Sequence, residues 1–458
     1  MPAKRVVVLD VVGLQAQHLH DPSRTPYLSR LASQGWTAPL KAPFPAVASS
    51  VEATLMTGVS PRIHGVVSNG LFERDRYSVS FFDQPWTMVP VEKIWERLRR
   101  LDWQATSALL GFPNSRYADA DVVITPAPFF DGLRTVAWCY SRPLGYYEQL
   151  VEQLGPFDAA TAWGPLADAR ASEWTARALL EVVRDHQPAM VWARLPHLIF
   201  NSVRLGPESP QLSDDLACID RVVGSVLDGL PSAAGDDETV LVVISEYPVT
   251  AVSRPVFLNR LLREGGLLTV REVEGHEYVD FELSRAWAMV DHQVAHLYLK
   301  PDAEAAVRAT IWGTPGVEKL IGDFEKREYE IDHPNSGELV AIAEHDAWFP
   351  YHYWLDDDKA PPYARRVAPE LKPGADPAEL LADLSDGAVP LDATLVRGSH
   401  GRPPDREQKR PVMIAHGPGL PRRPSGEVPM GTIGDLIVGL LGHRPGAPAT
   451  ASRTETAG

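Results

Sequence analysis

Residues 44–69 read FPAVASSVEATLMTGVSPRIHGVVSN and form the most informative part of the chain. A Pro-containing turn at Phe44–Pro45 leads into a predicted helix that starts with small residues. Free backbone N–H groups and the helix dipole at such a start favour a bound anion. Asn69, which ends the stretch, can donate a hydrogen bond to a bound oxygen. The pattern therefore predicts an oxyanion-binding site, although Ala48 stands where such a site needs a nucleophile.

Two hydroxyl groups directly follow this alanine, at Ser49 and Ser50. An offset of one residue turns a side chain by about 100° around the helix axis, and serine near a helix start more often caps the helix. Ser49 is therefore a candidate for contacting a substrate, and a serine nucleophile at a shifted position is an alternative. Glu52 lies one turn further along, and its neighbours do not show whether it faces the pocket or solvent.

Hydrophobic runs and amphipathic segments alternate over most of the chain. Predicted buried strands cover residues 5–9, 190–195, 239–245 and 411–415, and predicted helices cover residues 26–34, 91–100, 174–185, 213–230 and 433–441. Short, continuous apolar runs of this kind are typical of buried parallel strands. Strands that alternate with helices predict an α/β fold, with a doubly wound, mostly parallel sheet flanked by helices.

The character of the sequence changes after about residue 250. A Leu-rich segment, a segment with two histidines and the aromatic patch AWFPYHYWLDD follow one another there. We therefore expect an α/β core at residues 1–250 and 397–442, with a smaller α+β insertion at residues 251–396 lying against the main sheet. Residues 443–458 have the composition of a disordered tail.

Composition limits the choice of partners and compartment. The 458 residues contain 44 Lys and Arg and 60 Asp and Glu, which gives a net charge of −16. This acidic balance argues against nucleic acid or an anionic membrane as a partner and leaves a small molecule. The two cysteines, Cys139 and Cys218, imply no disulfide framework. The first apolar run is too short for a signal peptide or membrane span, so a cytoplasmic location is expected; the oligomeric state stays open.

The stretch 44–69 resembles the alkaline phosphatase superfamily, in particular its nucleotide pyrophosphatases and phosphodiesterases. Members of that branch read approximately FPTxTxPxxxxLxTGxxPxxHGIxxN, and their second Thr is the covalent nucleophile. Aligned without gaps, the chain matches this pattern at Phe44, Pro45, Leu55, Thr57, Gly58, Pro61, His64, Gly65 and Asn69. The nucleophilic Thr falls on Ala48, which makes Ala48 a vacated nucleophile position. The resemblance implies the superfamily fold and puts its usual activity in question.

The resemblance also implies a site for two metal ions, and some of its ligand positions are kept. Asp10 ends the first predicted strand, at the carboxyl edge where ligands gather in α/β sheets. His400, in Gly398-Ser399-His400-Gly401, matches a late Gly-x-His-Gly motif whose His completes a metal site. Glu246 stands in place of the Asp of a Ser-Asp-His-Gly motif. These three residues are the candidate ligands on this ground.

The remaining ligand positions hold residues that cannot bind a metal. Relatives carry Pro-Asp-x-x-x-His-x-x-Gly-Pro. When this motif is anchored on Gly206-Pro207, its Asp falls on Ile199 and its His falls on Val203. Tyr247 replaces a His and is a poor ligand for Zn²⁺. His197 is a nearby polar side chain, and we take it as a candidate contact for the substrate.

A second group of candidate ligands lies in the segment VDHQVAHLYL. If this segment is one strand, Asp291 and Gln293 share a face and His292 and His296 share the other. A polar strand end with an interior hydrogen-bonded His explains the pattern equally well. Two adjacent zinc ions need more good ligands than the chain retains. The alternatives are a single divalent cation, Zn²⁺ or Mn²⁺, or no metal; the candidate ligands are Asp10, Glu246, Asp291, His292 and His400.

Three functions stay open. The first is acid–base chemistry on a small polar or anionic metabolite in a repurposed pocket, with Asp10, Glu246 and His400 as the catalytic acid and base. The second is hydrolysis of a phosphodiester or pyrophosphate by altered residues. The third is ligand binding without catalysis. Loss of a nucleophile and its metals costs many orders of magnitude in rate, which favours the first function over the second.

Overall fold

The computed structural model describes residues 3–130, 135–230, 239–403 and 410–444. The helices of these residues are α1 (Pro26–Gln34), α2 (Ala48–Thr57), α3 (Pro61–His64), α4 (Ile94–Leu101), α5 (Tyr146–Leu154), α6 (Arg170–His186), α7 (His197–Leu205), α8 (Leu212–Gly229), α9 (Leu258–Glu264), α10 (Glu304–Ile311), α11 (Asp323–Glu328) and α12 (Ile433–Leu440).

The strands are β1 (Arg5–Val11), β2 (Trp36–Lys41), β3 (Gly70–Glu73), β4 (Ser78–Phe81), β5 (Ser107–Leu110), β6 (Val122–Pro126), β7 (Phe129–Phe130), β8 (Thr135–Val136), β9 (Cys139–Arg142), β10 (Met190–Leu195), β11 (Thr239–Ile244), β12 (Thr250–Ala251), β13 (Arg254–Pro255), β14 (Val270–Val273), β15 (His276–Val279), β16 (Ala286–Asp291), β17 (Val294–Leu299), β18 (Val317–Ile321), β19 (Leu339–Ala343), β20 (Ala347–Trp348), β21 (Gly398–Ser399), β22 (Val412–His416) and β23 (Val428–Pro429).

A nine-stranded sheet forms the centre of the molecule, in the order β23-β2-β22-β11-β1-β10-β5-β6-β9. Strand β1 lies between β10 and β11 and is parallel to both. The pairs β10–β5, β5–β6 and β2–β23 are also parallel, whereas β22 and β9 run antiparallel to their neighbours. The fold class predicted from the sequence, a mostly parallel α/β sheet flanked by helices, is confirmed.

Alternate residues of the central strands enter two separate cores, one on each face of the sheet, as expected for strands buried on both sides. Val7 and Leu9 of β1 pack with helices α1, α5, α6 and α8. Val6 and Val8 pack on the other face with helices α2, α4 and α12. Asp10 follows Val8 on this second face, so its carboxyl group comes out at the carboxyl end of the sheet.

A smaller sheet of four antiparallel strands, in the order β16-β17-β19-β18, is formed by residues 286–343. Its β16 and β17 form a hairpin in which Asp291 pairs with Val294, so His292 and Gln293 are the turn. The segment is therefore two strands and a turn, so the condition under which His292 and His296 would share a face is not met. His292 has a backbone φ of 61°, and the turn separates it from His296 on β17.

Most elements lie where the sequence predicts them. The helix at 26–34 and the strand at 190–195 have the predicted bounds, and the other predicted strands and helices are shifted at their ends by a few residues. The boundaries at 250/251 and 396/397 stay predictions. The tail at 443–458 lies outside the described residues apart from its first two. Within the described part of the chain, no helix is long and apolar enough to cross a bilayer.

Candidate functional site

Three neighbouring strands bring one charged group each to the carboxyl edge of the sheet. Asp10 of β1 is the direct neighbour of Arg194 on β10, and Ile244 of β11 lies opposite Asp10 on its other side. Glu246 follows Ile244 by two residues, so its side chain continues the same face. All three charged residues are buried. Parallel pairing in register is therefore what brings this charged group together.

The guanidinium group of Arg194 is the centre of this group. Its Nε–H donates a hydrogen bond of 2.8 Å to Oε1 of Glu246, and Nη2 lies 3.4 Å from Oε2 of the same residue. The Nε atom also lies 2.9 Å from Oε1 of Glu52, which is on the first turns of α2. Since the hydrogen on Nε points at Glu246, Glu52 gains an ionic contact but no hydrogen bond. One cation thus serves two carboxylates.

Burial changes how these carboxyl groups hold their protons. Loss of solvation, and next the negative charge of Glu246, raise the pKa of Asp10 well above its usual value, which favours its protonated form. Burial also raises the pKa of Glu52 to about 8, against the opposing effect of the Arg194 charge. Both oxygens of Glu52 are buried and have no hydrogen-bond partner in the part of the chain that the structure describes. An unpaired buried carboxyl of this kind is costly, and a bound ligand can satisfy it.

The start of α2 lies beside this charged group, and one of its amide groups already has a side-chain partner. The backbone N–H of Ser49 donates to Oδ1 of Asn69 at 2.9 Å. The Nδ2 group of Asn69 in turn donates to Asp291 at 3.0 Å. Asp291 also accepts from Ser68 Oγ at 2.9 Å and from the Asn69 backbone N–H at 2.8 Å. Asn69 therefore ties α2 to the hairpin, and only the second hydrogen of its Nδ2 remains for a ligand.

Two histidines and a tyrosine that line the same cavity lie against each other. The ring of His400 stacks on Tyr247 with centroids 4.2 Å apart, and it lies 3.9 Å from the ring of His292. Burial lowers the pKa of both histidines, so both are neutral. His400 Nδ1 is 3.1 Å from the carbonyl oxygen of Ala46. When Nδ1 carries the proton for that bond, Nε2 of His400 is left as an acceptor.

These groups form one end of a cavity of about 350 Å³. The polar end is lined by Ser49, Glu52, Asn69, Asn114, Arg194, Tyr247, His292 and His400, together with the methyl group of Ala48. The rest of the wall is apolar and contains Phe82, Phe157, Trp163 and Phe200 with several prolines. Ile199 and Val203, which fall on metal-ligand positions in the sequence comparison, also line the cavity. Such a polar end on an apolar cavity is typical of a small-molecule site.

Five of the predicted site residues line the cavity and four do not. Among the described residues that line it, Asp10, Glu246, Asp291 and His197 are missing. Asp10 is the strand neighbour of Arg194 and Glu246 accepts its hydrogen bond, so both adjoin a residue that lines the cavity. His197 begins α7, and its Nε2 is 3.2 Å from the carbonyl oxygen of Asp215 on α8. A role for His197 in contacting a substrate has no support from this placement.

Sequence reasoning did not single out Arg194, although a signal for it exists. The strand MVWARL is otherwise apolar, and its one charged residue is at the carboxyl end, as Asp10 is in β1. A charge in that position of a buried strand needs a partner of the opposite sign. Reading β1 and β10 as neighbours would have paired the two residues. Glu52 was noted, and the structure places it in the cavity rather than in solvent.

The donor groups of this site do not fit the pair of zinc ions that the family resemblance implies. Arg194 lies between the carboxylates of Glu52 and Glu246, where a metal would meet the repulsion of a fixed positive charge. The Asp291 oxygens already accept three hydrogen bonds, and Ile199 and Val203 have no donor atom. Within the described ranges, no three His, Cys, Asp or Glu side chains are grouped so that they could hold a metal ion.

The sheet order and a site at its carboxyl edge define an alkaline phosphatase-like α/β protein. The family described as type I phosphodiesterase / nucleotide pyrophosphatase matches residues 6–376, so the chain belongs to that family. An uncharacterized pyrophosphatase/phosphodiesterase of Schizosaccharomyces pombe is 23% identical over 265 residues, which are 56% of this chain and 47% of the yeast protein. The chain thus matches about half the length of this curated relative.

Solved structures show the same fold at low identity. Human ectonucleotide pyrophosphatase / phosphodiesterase 5 superposes with a TM-score of 0.62 at 15% identity, over 96% of both chains. Phosphonoacetate hydrolase from Sinorhizobium meliloti, in complex with phosphonoformate, superposes with a TM-score of 0.60 at 16% identity, over 96% of this chain and 95% of that enzyme. At these identities the likeness concerns the fold, and the site has to be judged from its own residues.

Proposed function

We propose that this chain is a metal-independent member of its family, which binds a small organic molecule in the cavity and exchanges a proton with it. The observation that carries the proposal is the position of the Arg194 guanidinium, 2.8 Å from Glu246 and 2.9 Å from Glu52. The positive charge that pairs with Glu52 and Glu246 thus comes from an arginine of the protein itself. The two carboxylates are then held without an added cation.

Glu52 is the proposed proton carrier because it reaches the cavity and its oxygens have no other hydrogen-bond partner among the described residues. Its pKa of about 8 lets both protonation states be populated near neutral pH, which general acid–base catalysis requires. His400, which also lines the cavity, is the second candidate for accepting a proton. Asp10 and Glu246 act in this proposal by holding Arg194 and setting the charge around Glu52.

The finer points of the proposal concern cofactor, partner and location. No divalent metal is required for binding, and the partner is a small molecule rather than nucleic acid or a membrane. Both cysteines are unpaired, Cys139 buried and Cys218 partly exposed, which suits a reducing compartment such as the cytoplasm. The oligomeric state is no part of the proposal.

The test uses full-length protein purified without chelator. Metal content is measured by plasma mass spectrometry, and hydrolysis of bis(nitrophenyl) phosphate is followed with and without Zn²⁺ and Mn²⁺. We expect far less than one metal ion per chain and no hydrolysis above the blank. A metabolite screen by thermal shift, run with EDTA, should then yield ligands, and their conversion is followed by mass spectrometry. Two metal ions per chain together with phosphodiester turnover would overturn the proposal.

Glu52→Gln separates the proton-transfer step from binding. The amide keeps the shape of the side chain but cannot carry a proton between states, so conversion should stop while the metabolite still binds. Ligand binding by both proteins without any conversion would reduce the proposal to a binding protein. Glu304→Gln, which changes an exposed carboxylate of α10, is the matched control and should behave as wild type.

A second candidate function rests on Ser49. Its side chain lines the cavity one residue after Ala48, and its Oγ accepts a hydrogen bond of 3.3 Å from Asn114 Nδ2. A serine at this place can act as a nucleophile in hydrolysis if a neighbouring carboxylate takes its proton. Labelling with a fluorophosphonate probe tests this function. Loss of labelling in Ser49→Ala but not in Ser50→Ala would favour hydrolysis through Ser49.

A further inference from the structure

The polar end of the cavity presents polar atoms without hydrogen bonds. Considering the described residues alone, these atoms are both oxygens of Glu52, Oδ1 of Asn114 and Nδ1 of His292. Glu52 has only its ionic contact with Arg194, and Nδ1 of His292 is an acceptor when Nε2 carries the proton. All three side chains line the cavity. A buried acceptor that nothing satisfies costs free energy, and a ligand with several N–H or O–H groups removes that cost. The unfilled positions therefore select for a donor.

Charge points to the same kind of ligand. Three carboxyl groups, those of Asp10, Glu52 and Glu246, are buried around a single guanidinium group. Arg194 gives its Nε hydrogen bond to Glu246, so Glu52 is the carboxyl group with the weaker partner. A ligand with one positive charge next to Glu52 would favour the ionised form of this carboxyl group, because the ammonium then balances its negative charge as Arg194 balances Glu246. A phosphate group would add negative charge at the same place and leave the acceptors unsatisfied.

The remaining wall describes the body of the ligand. Phe82, Phe157, Trp163 and Phe200 line the cavity, and the rings of Trp163 and Phe200 meet edge to face with centroids 6.4 Å apart. Tyr247 lines the wall near the polar end. Aromatic faces attract both flat apolar groups and cations. The volume of about 350 Å³ lies at the small end of the range for ligand pockets.

We infer that the cavity takes an organic amine, with its protonated amino group against Glu52 and a ring-bearing apolar body along the aromatic wall. The inference rests on the proposed function and names the class of molecule for that site. A primary ammonium has three N–H donors, which match the unpaired acceptors of Glu52, Asn114 and His292 in kind. An alcohol offers one donor and no charge, and a phosphate ester offers acceptors only.

Three probes with the same apolar body test the inference: phenethylamine, phenethyl alcohol and phenethyl phosphate. Their binding to the full chain is measured by isothermal titration calorimetry at neutral pH with EDTA present. We expect the amine to bind about tenfold or more tightly than the other two, as one charge-assisted hydrogen bond would give. Tighter binding of the alcohol or the phosphate, or no binding of the amine at millimolar concentration, would overturn the inference.

Variants assign the preference to its residues. Glu52→Gln should remove the preference for the amine and leave the affinity for the alcohol unchanged. Asp220→Asn is the matched control, because it makes the same change in a buried carboxylate that accepts the backbone N–H groups of Tyr27 and Leu28, away from the cavity. Phe200→Leu should weaken all three probes by similar factors. An amine preference that survives in Glu52→Gln would contradict the inference, and thermal unfolding confirms that each variant is folded.

The same measurements keep the two proposals apart. If the alcohol or the phosphate ester binds best with EDTA present, the amine head group is wrong but metal-independent binding stands. If every probe binds only after Zn²⁺ or Mn²⁺ is added, both proposals fail.

Discussion

The Nε–H group of Arg194 donates a hydrogen bond of 2.8 Å to Oε1 of Glu246, and both side chains are buried at the carboxyl edge of the central sheet. Glu52 lies 2.9 Å from the same nitrogen of Arg194. Among the described residues, Arg194 is the ion-pair partner of both glutamates. When one partner of a buried ion pair is removed, the other charge stays buried without compensation, which destabilises the folded protein. This relationship determines both the stability and the chemistry expected of the site.

Arg194→Met should strongly destabilise the protein at neutral pH. The change removes the cation that pairs with the buried Glu246 and Glu52, and the loss of one partner of such a pair costs about 3–5 kcal/mol. The cost should be smaller at mildly acidic pH, because the carboxyl groups then take up protons. Urea unfolding at both pH values measures the effect. Arg254→Met, at an exposed arginine that pairs with Glu344 and Asp346, should cost less than about 1 kcal/mol; equal costs for the two variants would contradict the prediction.

Glu52 should make the stability of the protein fall as the pH rises. Its pKa is 4.5 in the ordinary state and about 8 in the folded protein, so between these values the folded state holds a proton that the unfolded state has lost. The free energy of unfolding then decreases with pH, by at most about 1.4 kcal/mol per pH unit for one proton. Glu52→Gln should flatten the profile between pH 5 and 8, as measured by urea unfolding.

The control for this profile is Glu304→Gln on the exposed face of α10, which should leave the slope as in wild type. A wild-type profile that rises between pH 5 and 8 would be the opposite of the expected sign. A Glu52→Gln profile as steep as the wild-type one would assign the dependence to another group.

Asp291→Asn should loosen the contact between the start of α2 and the β16–β17 hairpin. Asp291 accepts hydrogen bonds from Ser68, from the Asn69 backbone and from the Asn69 side chain. An asparagine has an NH₂ group in place of one of these oxygens, so at least one donor would lose its acceptor. We expect this loss to lower the free energy of unfolding by about 1–3 kcal/mol. Burial raises the pKa of Asp291 to about 6, so the wild-type carboxyl is largely protonated at pH 5. The destabilisation by Asp291→Asn should therefore be smaller at pH 5 than at neutral pH.

Urea unfolding and hydrogen exchange of the Ser49 amide measure this effect, because Asn69 also accepts the Ser49 N–H. Asp346→Asn, at a half-exposed carboxylate, is the control and should leave the exchange of Ser49 unchanged. Unchanged protection of Ser49 in Asp291→Asn would show that Asn69 holds α2 without help from the hairpin.

Much of the fold could be predicted from the sequence because its strongest signals are local. The strand at Met190–Leu195 and the helix at Pro26–Gln34 follow directly from apolar runs and helix limits. The pairing of Asp10 with Arg194 could not be read in that way, because it depends on which strands are neighbours. The hairpin turn at His292 was missed for another reason: its two residues carry no Gly or Asn to mark a turn. The charge pairing around Arg194 is therefore the part of the candidate site that the sequence does not reveal.

Ala48→Thr should restore no phosphodiesterase activity. The new hydroxyl would lie at the start of α2, in the cavity and beside Glu52, but a threonine becomes a strong nucleophile only with a base or a metal ion to activate it. Arg194 keeps a positive charge between Glu52 and Glu246, and Ile199 and Val203 line the cavity without donor atoms. Hydrolysis of bis(nitrophenyl) phosphate is measured with added Zn²⁺, beside Ala48→Val, which has the same shape and no hydroxyl. Both variants should equal the blank; metal-dependent turnover in the threonine variant alone would show that the remaining side chains can still assemble a phosphoryl-transfer site.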